Sequence, residues 1–514
     1  MTQAQDRFAV SDDIAARLNA LDAGALAALL SKRAGSDEDF RLWLATKLAA
    51  LDAQELRTPL DPEPFRRRAE ALLDSTHSGQ HGRHRDDFDS GIDEAALDDL
   101  IAQAEPLLGL GDANNALAIL KPVAACLVEY WPQCADWDET LHEFFPLLDA
   151  MIARAVLLDA VSHEARDDLA DELSHWQDEV GEHGAGDAFA VAIAAATQGW
   201  DEPGLEDVLN GRGRIWPLTG TSCWLEDQLT TARLAALAAM GCTEKHLNLS
   251  MSAGRHCDHA MMLAKRERAD EALTVARSNF RDSDSAWRLA ETLLDMNQPD
   301  AAFELAGWGL SLPTDDEGSG PAGINGKHAL ACWLREEAHA ANRPDLAIMA
   351  AGAAFEESLS REDYRAAQML CPAQEWPVTR ATLLARLMDA PYAHDRIDIL
   401  LDESRIDDAM AAVDRKDERF HSPHDTALVR LAEAACALHP DWTIRFAFRM
   451  ASPIMTEGRS SHYDLAVRWL EVAARAHAAA GTADEWRDRL EALTKTHRRK
   501  HKLRTLLEAL RTSR

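Results

Sequence analysis

Apolar side chains recur along this chain at the spacing of an α-helix, and no other feature constrains its fold as strongly. Near the N-terminal end, five of them share one predicted helix face: Phe40, Trp43, Leu44, Leu48 and Leu51. Ser36 stands just before them, where it predicts a helix N-cap. Near the other end, Thr482 and Glu485 have the spacing of a capping box. Because β-branched runs and Asn-Gly hairpin turns are nearly absent, we expect an all-α chain.

A helix start also recurs, in which an Asx residue is followed by small apolar residues. It begins at Asn114, Asp270, Asp300, Asp345 and Asp407. An Asx side chain can cap the second helix of a hairpin, and small residues let that helix pack closely. The starts are unevenly spaced, so a fixed repeat length does not hold. The sequence therefore predicts degenerate helical-hairpin repeats stacked as a tetratricopeptide-like α-solenoid; the alternative is that Asx-x-Ala is simply a common helix start.

Two polar stretches divide the predicted helical regions. Residues 74–91 contain several histidines, and residues 311–326 are rich in Gly, Pro and Asp. The segments that result are an N-terminal helical segment at 1–73, helical repeat regions at 92–310 and 327–494, and a basic C-terminal helix or cap at 495–514.

Charge and composition exclude several classes of protein. The 514 residues include 54 Lys and Arg against 87 Asp and Glu, a formal net charge of −33, so bulk nucleic-acid binding is not expected. With 46% hydrophobic and 27% charged residues, the chain can bury a large core and is not expected to be disordered. The start has no basic segment followed by an apolar one, and the eight cysteines form no CxxC. We therefore expect a reduced cytoplasmic protein without a secretory signal or a membrane span.

The C-terminal end departs from this acidity. Its cations centre on Arg498, Arg499, Lys500 and Lys502, which can contact nucleic-acid phosphate or an acidic partner. Alternatively, these cations complement the dipole of a helix C-terminus and give the last helix of a repeat array a polar outer face.

Two groups of histidines suggest metal binding without completing a known site. His77, His81 and His84 share one predicted loop, but no further ligand lies close in sequence. His256 and His259 share a helix face just before an apolar run, so packed or hydrogen-bonded histidines are the simpler interpretation. We expect no zinc and no other cofactor.

Motifs of catalysis are also absent from the sequence. The glycine-rich run 318–328 is similar to a phosphate loop, but His328 stands where Ser or Thr should hold magnesium, and no strand precedes it. No HExxH or GxSxG occurs. The sequence therefore predicts no catalytic residue.

The C-terminal stretch from Tyr463 through Trp469 and Trp486 to Leu503, with its basic run HRRKHKL, resembles the end of bacterial SWIM zinc-finger proteins. The N-terminal Leu18 to Leu30, together with residues 40–51, is similar to a helical segment of that family and of related uncharacterised helical proteins. The resemblance implies a tetratricopeptide-like helical region. The zinc finger of the family is CxC followed by CxH; no CxC occurs here, so no zinc ligand is implied.

These observations predict a non-catalytic protein–protein interaction scaffold, since stacked hairpins form an extended surface that binds peptides or helices. Trp287, Trp308, Trp333 and Trp376 are candidate anchors for an unidentified protein partner. One alternative is a nucleic-acid-associated factor that acts through the basic tail or with a SWIM-type partner. The other is a metal-dependent enzyme that no motif reveals.

Overall fold

The described part of the chain consists of α-helices, many of which are joined by short turns. The computed structural model describes residues 20–56, 58–74, 93–133, 141–158, 162–213, 215–217, 224–313, 326–414, 425–457 and 460–512. Within these ranges there are α-helices and short 3-10 segments but no β-strand. The chain divides into two compact units, residues 1–272 and 273–514. None of the described helices is both long enough and apolar enough to cross a membrane.

The first unit comprises thirteen of the described helices. They are α1 (Ala23–Ser36), α2 (Glu38–Leu56), α3 (Glu63–Asp74), α4 (Glu94–Ala102), α5 (Glu105–Gly109), α6 (Ala113–Tyr130), α7 (Phe144–Val156), α8 (His163–Gly181), α9 (Ala190–Thr197), α10 (Leu205–Leu209), α11 (Trp224–Ala239), α12 (Thr243–Ser252) and α13 (His256–Lys265). The boundary between the units falls inside α14 (Ala269–Asn279).

The second unit continues in the same way to the C-terminal end. Its helices are α15 (Ser283–Asp295), α16 (Pro299–Gly309), α17 (Gly326–Ala340), α18 (Pro344–Ser358), α19 (Arg361–Leu370), α20 (Trp376–Asp389), α21 (Arg396–Asp402), α22 (Ile406–Asp414), α23 (Thr426–Ala435), α24 (Pro440–Glu457), α25 (Tyr463–Ala479), α26 (Ala483–Thr496) and α27 (His501–Thr512).

One turn recurs between consecutive helices. A residue with φ between 56° and 75° is followed by a single residue and then by the next helix. The residues with positive φ are Gly111, Gly241, Gly254, Glu267, Asn297, Asn342, Ser404 and Gly481. In each turn the next backbone N–H donates to a carbonyl five residues earlier, as Arg343 does to Ala338 at 2.8 Å. This is a Schellman closure, and it allows one helix to begin almost where the last one ends.

The Asx residues of the recurring helix start lie inside this turn pattern, but they are not the caps. Each of the five is the second residue of its helix and lies three residues after the residue with positive φ. The predicted capping role is therefore wrong. At the second helical position the four aspartates instead favour the helix through the positive end of its dipole, and the turn itself is closed by backbone hydrogen bonds.

Two other predicted caps also differ from the structure. Ser36 is the last residue of α1, where its hydroxyl donates to the carbonyl of Arg33 at 3.0 Å. The side chain of Asp37, one residue later, accepts from the backbone N–H of Phe40 at 3.0 Å. Thr482 precedes α26 but makes no capping hydrogen bond, because its hydroxyl contacts His477 in the preceding turn.

Helices that are close in sequence pack against one another in each unit. In the second unit α15 packs on α16, α17 on α18 and α24 on α25, and the alternate helices α16, α18 and α20 are also in contact. In the first unit α6 packs on α3 and α7, while α7 also contacts α9 and α11. The expected fold class, all-α with degenerate helical hairpins stacked as in an α-solenoid, is confirmed within each unit.

The stripe predicted on α2 is only partly correct. Leu48 and Leu51 are 52% and 50% exposed, whereas Ala50 and Ala53 are buried in the core of the first unit with Phe65 of α3. Small residues thus face the neighbouring helix, because a close approach of two helices leaves no room for leucine there. Side-chain size, in addition to apolar periodicity, decides which face of this helix is buried.

Candidate functional site

A groove in the second unit is formed by α16, α18 and α20. These are the second helices of three successive hairpins, and the groove between them has a volume of about 540 Å³. Its apolar lining includes Leu310, Ile348, Met349, Val378 and Leu383. Clefts of about 300–1,000 Å³ with mostly apolar walls are typical of binding sites.

Two glycines make room in this groove. A Cβ atom added to Gly352 would have no heavy atom within 4 Å, and one added to Gly307 would meet only the methyl carbon of Met349, at 3.8 Å. Neither glycine has a positive φ, so the backbone does not require glycine at these positions. Glycine within a helix lowers stability by about 0.5–1 kcal/mol relative to alanine. What these two glycines contribute in return is the open space in the groove.

The groove also exposes apolar side chains to solvent. Met349 is 41% exposed and Val378 is 73% exposed. A methionine can adapt its flexible side chain to different partners. The polar lining is provided by the exposed carboxylate of Glu356 and by hydroxyl groups such as that of Thr382. The groove therefore combines an apolar surface with few charged groups.

A separate cluster of polar side chains connects α17 to α19. His328 and Cys332 lie one turn apart on α17, and Asp363 lies in the first turn of α19. The imidazole Nε2 of His328 lies 2.8 Å from Oδ2 of Asp363 and 3.6 Å from Sγ of Cys332. Within the described residues, this is the one group of three His, Cys or acidic side chains whose ligand atoms all lie within 4.8 Å of one another.

Four side chains donate to the carboxylate of Asp363. Arg335 donates to Oδ1 at 2.8 Å, and Ser358 and Ser360 donate to Oδ2 at 2.6 and 3.0 Å, in addition to the contact from His328. Burial alone raises the pKa of this carboxyl, but the hydrogen bonds outweigh burial and hold the pKa of Asp363 well below its usual value. The carboxylate is thus ionised and fixed in orientation.

The same contacts determine the charge of the histidine. The hydrogen bond to Asp363, aided by the thiol of Cys332, raises the pKa of His328 to about 10. The carboxylate and the thiol both lie at the same ring nitrogen, Nε2. A nucleophilic triad needs the thiol at one ring nitrogen and the carboxylate at the other, so this arrangement does not match one.

The predicted basic residues of the C-terminal end fall into two pairs. Lys500 donates to the carbonyls of Met455 and, at 3.1 Å, Thr456, at the C-terminal end of α24. Lys502 donates to Asp464 at 2.7 Å and to the carbonyl of Ser460. These two lysines bind other parts of their own unit.

Arg498 and Arg499 form the other pair and are exposed in the short turn between α26 and α27. Any contact of the basic end with an acidic partner would depend chiefly on these two arginines. That contact remains a prediction.

The four predicted tryptophan anchors are all partly buried. Trp376 packs against the ring of Tyr364, with centroids 5.6 Å apart, and Trp287, Trp308 and Trp333 are likewise neither fully buried nor exposed. None of the four is among the residues that line the groove. Their role as anchors remains a prediction. Sequence patterns did not reveal the groove, whose apolar lining consists of aliphatic residues and methionine rather than these tryptophans.

Of the histidine pair on α13, His259 makes local hydrogen bonds, whereas the Nδ1 atom of His256 is buried without a hydrogen-bond partner. The Nδ1 atom of His259 contacts the carbonyl of Leu247 at 3.0 Å and the hydroxyl of Ser250 at 3.1 Å. Because a carbonyl only accepts, Nδ1 carries the proton. Hydrogen bonding of this kind was the simpler interpretation for His259. The loop histidines His77, His81 and His84, and most of the run 318–328, lie outside the described residues.

Comparisons with known proteins assign no family. No family model matches the chain, and no curated protein matches it. Among solved structures, the chain is similar to a protein described as a circular tandem repeat protein with novel repeat topology and enhanced subunit contact surfaces. The identity is 16% over 93% of this chain and 98% of that chain, with a TM-score of 0.16, which is too low to support a conclusion. The SWIM resemblance stays a prediction.

Proposed function

We propose that the protein is a non-catalytic interaction scaffold and that the groove between α16, α18 and α20 binds an α-helical segment of another protein. The observation that supports this most is the pair of glycines, Gly307 and Gly352, that keep the groove open at a cost in helix stability. Three successive hairpins contribute to the groove, as expected where an interaction surface extends over several repeats.

The chemistry of the groove indicates what its partner presents. Apolar walls with an exposed methionine suit the apolar face of an amphipathic helix, whose anchor side chains recur every three or four residues. The carboxylate of Glu356 and the net charge of −33 favour Lys or Arg beside those anchors. We therefore propose a basic amphipathic helix as the partner.

Site-specific photo-crosslinking tests this proposal. A photoreactive amino acid is placed at Met349 or Val378 in the groove, and at Leu438 as a control. Leu438 is 64% exposed and lies outside the groove, so it matches the groove positions in exposure. After irradiation in cells, adducts are identified by mass spectrometry. We expect the two groove positions to yield the same partner peptide and the control position to lack it.

Several outcomes would contradict the proposal. Equal adducts at all three positions would indicate non-specific contact, and no adduct at either groove position would leave the groove without a partner. An adduct that contains only this chain, from a second copy or from another segment, would replace the proposed partner with self-association.

A further inference from the structure

We propose that His328, Cys332 and Asp363 form a binding site for a single divalent metal ion of the zinc class. The ligand atoms are Nε2, Sγ and Oδ2 respectively, and a fourth position stays open to water or to an added ligand. This site is distinct from the groove, and it replaces the expectation, drawn from zinc motifs, that the chain holds no metal.

The distances between the ligand atoms support this assignment. Zinc–sulfur and zinc–nitrogen bonds of about 2.3 and about 2.05 Å at a tetrahedral angle place Sγ and Nε2 about 3.6 Å apart. Cys332 and His328 hold these two atoms 3.6 Å apart. The carboxylate Oδ2 of Asp363 lies 2.8 Å from Nε2. In a tetrahedral zinc site, a ligating oxygen and nitrogen are about 3.3 Å apart, so these two atoms are closer than the ion requires. A small outward movement of one side chain would admit the ion.

The backbone and the neighbouring side chains already orient these ligands. His328 and Cys332 are four residues apart on one helix, so they share a face. Arg335 holds the other oxygen of Asp363, and Ser358 and Ser360 donate to the metal-facing oxygen. Hydrogen-bonded partners of this kind commonly fix the orientation of metal-ligating carboxylates.

Ligand type and access define the class of metal. Imidazole and thiolate ligands favour zinc and chemically similar ions, whereas magnesium and calcium prefer sites made only of oxygen. The side chain of His328 is 24% exposed and that of Asp363 is 7% exposed, so an ion can enter from the side of the histidine. Three protein ligands leave one position of a four-coordinate ion open.

Cobalt(II), a spectroscopic substitute for zinc, tests the proposal in the purified full-length chain after treatment with a chelator. We expect one equivalent of Co²⁺ to produce a thiolate-to-cobalt charge-transfer band and the intense visible bands of four-coordinate cobalt, both of which zinc then abolishes. Cys332→Ser should remove the charge-transfer band and weaken binding at least about tenfold. Cys436→Ser, at a half-buried cysteine elsewhere in the same unit, should retain both properties.

A helical circular dichroism spectrum shows that each variant is folded. The loss of a cobalt absorption band can then be assigned to the loss of a ligand. His328→Gln provides a second ligand deletion, with the same expected loss of four-coordinate bands. The proposal is wrong if the wild-type protein shows only the weak bands of six-coordinate cobalt. It is equally wrong if the Cys332→Ser protein keeps the thiolate band.

Discussion

His246 shows how one buried side chain couples stability to pH. It is 6% exposed, and it lines a cavity of about 190 Å³ together with Asp258 and Lys265. Burial, with smaller contributions from His259 and Lys265, lowers the pKa of His246 to about 4. The folded chain therefore binds this proton more weakly than the unfolded chain, whose histidine has a pKa of about 6.5. This contribution to stability is fully present above pH 6.5 and is lost as the pH falls toward 4.

Replacing this histidine should reduce the loss of stability in acid. We expect the free energy of unfolding of the wild-type protein to fall between pH 7 and pH 4.5, with about 2–3 kcal/mol of that fall due to His246. The His246→Gln variant lacks the titrating ring, so its fall should be smaller by about that amount. Urea denaturation at several pH values measures the difference.

The matched control is His394→Gln. The side chain of His394 is 85% exposed, so its replacement should leave the pH dependence close to that of the wild-type protein. If the two variants have the same pH profile, the burial of His246 does not govern acid stability.

Two of the three side chains of the proposed metal site, His328 and Cys332, lie four residues apart, a spacing that places them on one face of a helix. No metal-binding motif contains this pair, so the sequence analysis does not predict them as ligands. Asp363 lies far along the chain, and only the packing of α19 near α17 brings its carboxylate to the imidazole. The low pKa of Asp363 likewise depends on hydrogen bonds from His328, Ser358 and Arg335, whose convergence no local pattern contains.

At the scale of helices and turns, apolar periodicity predicted the presence of helices better than it predicted the residues at which they begin and end. The Asx starts identified real hairpin turns, since each lies three residues after a residue with positive φ. The caps were assigned wrongly because closure depends on backbone hydrogen bonds and on positive φ, which residues as different as Glu267, Asn342 and Ser404 adopt here. The identity of a single side chain did not reveal that geometry.

The glycines of α16 and α18 provide a direct comparison of packing and open space. A Cβ at Gly309 would lie 2.7 Å from the Cβ of Ala286 and 2.9 Å from Cδ2 of Leu330, whereas one at Gly352 would meet nothing within 4 Å. We expect Gly309→Ala to lower the free energy of unfolding by about 1–3 kcal/mol through overpacking. Gly352→Ala should raise it by about 0.5–1 kcal/mol, because alanine favours the helix.

Thermal and urea denaturation of the two alanine variants measure these opposite changes. A destabilised Gly352→Ala protein would mean that the space beside this glycine is filled, and the groove would then not be open as described. A Gly309→Ala protein as stable as the wild type would mean that the contact between α16 and its neighbours is looser than the distances indicate.

At the scale of the whole chain, the sequence predicted the fold class and the acidic character but not the groove. Apolar periodicity marks which helix faces are buried, and stacking then buries them between hairpins. A groove arises where alternate helices leave space, which depends on the sizes of residues such as Gly307 on α16 and Gly352 and Ala353 on α18. The net charge of −33 predicts further that binding of a basic partner weakens as salt is added.

If a partner helix occupies this groove, the affinity of the crosslinked partner peptide depends on the size of the side chain at position 352, which two variants of Gly352 test. Gly352→Ala adds one methyl group, and Gly352→Leu fills the space with a larger side chain that favours helices nearly as well as alanine does. By titration calorimetry, we expect the affinity of the alanine variant to lie within about threefold of that of the wild-type protein. The leucine variant should bind the peptide at least about tenfold more weakly. Neither variant should lose thermal stability. Wild-type affinity in the leucine variant would mean that the partner helix does not bind in this groove.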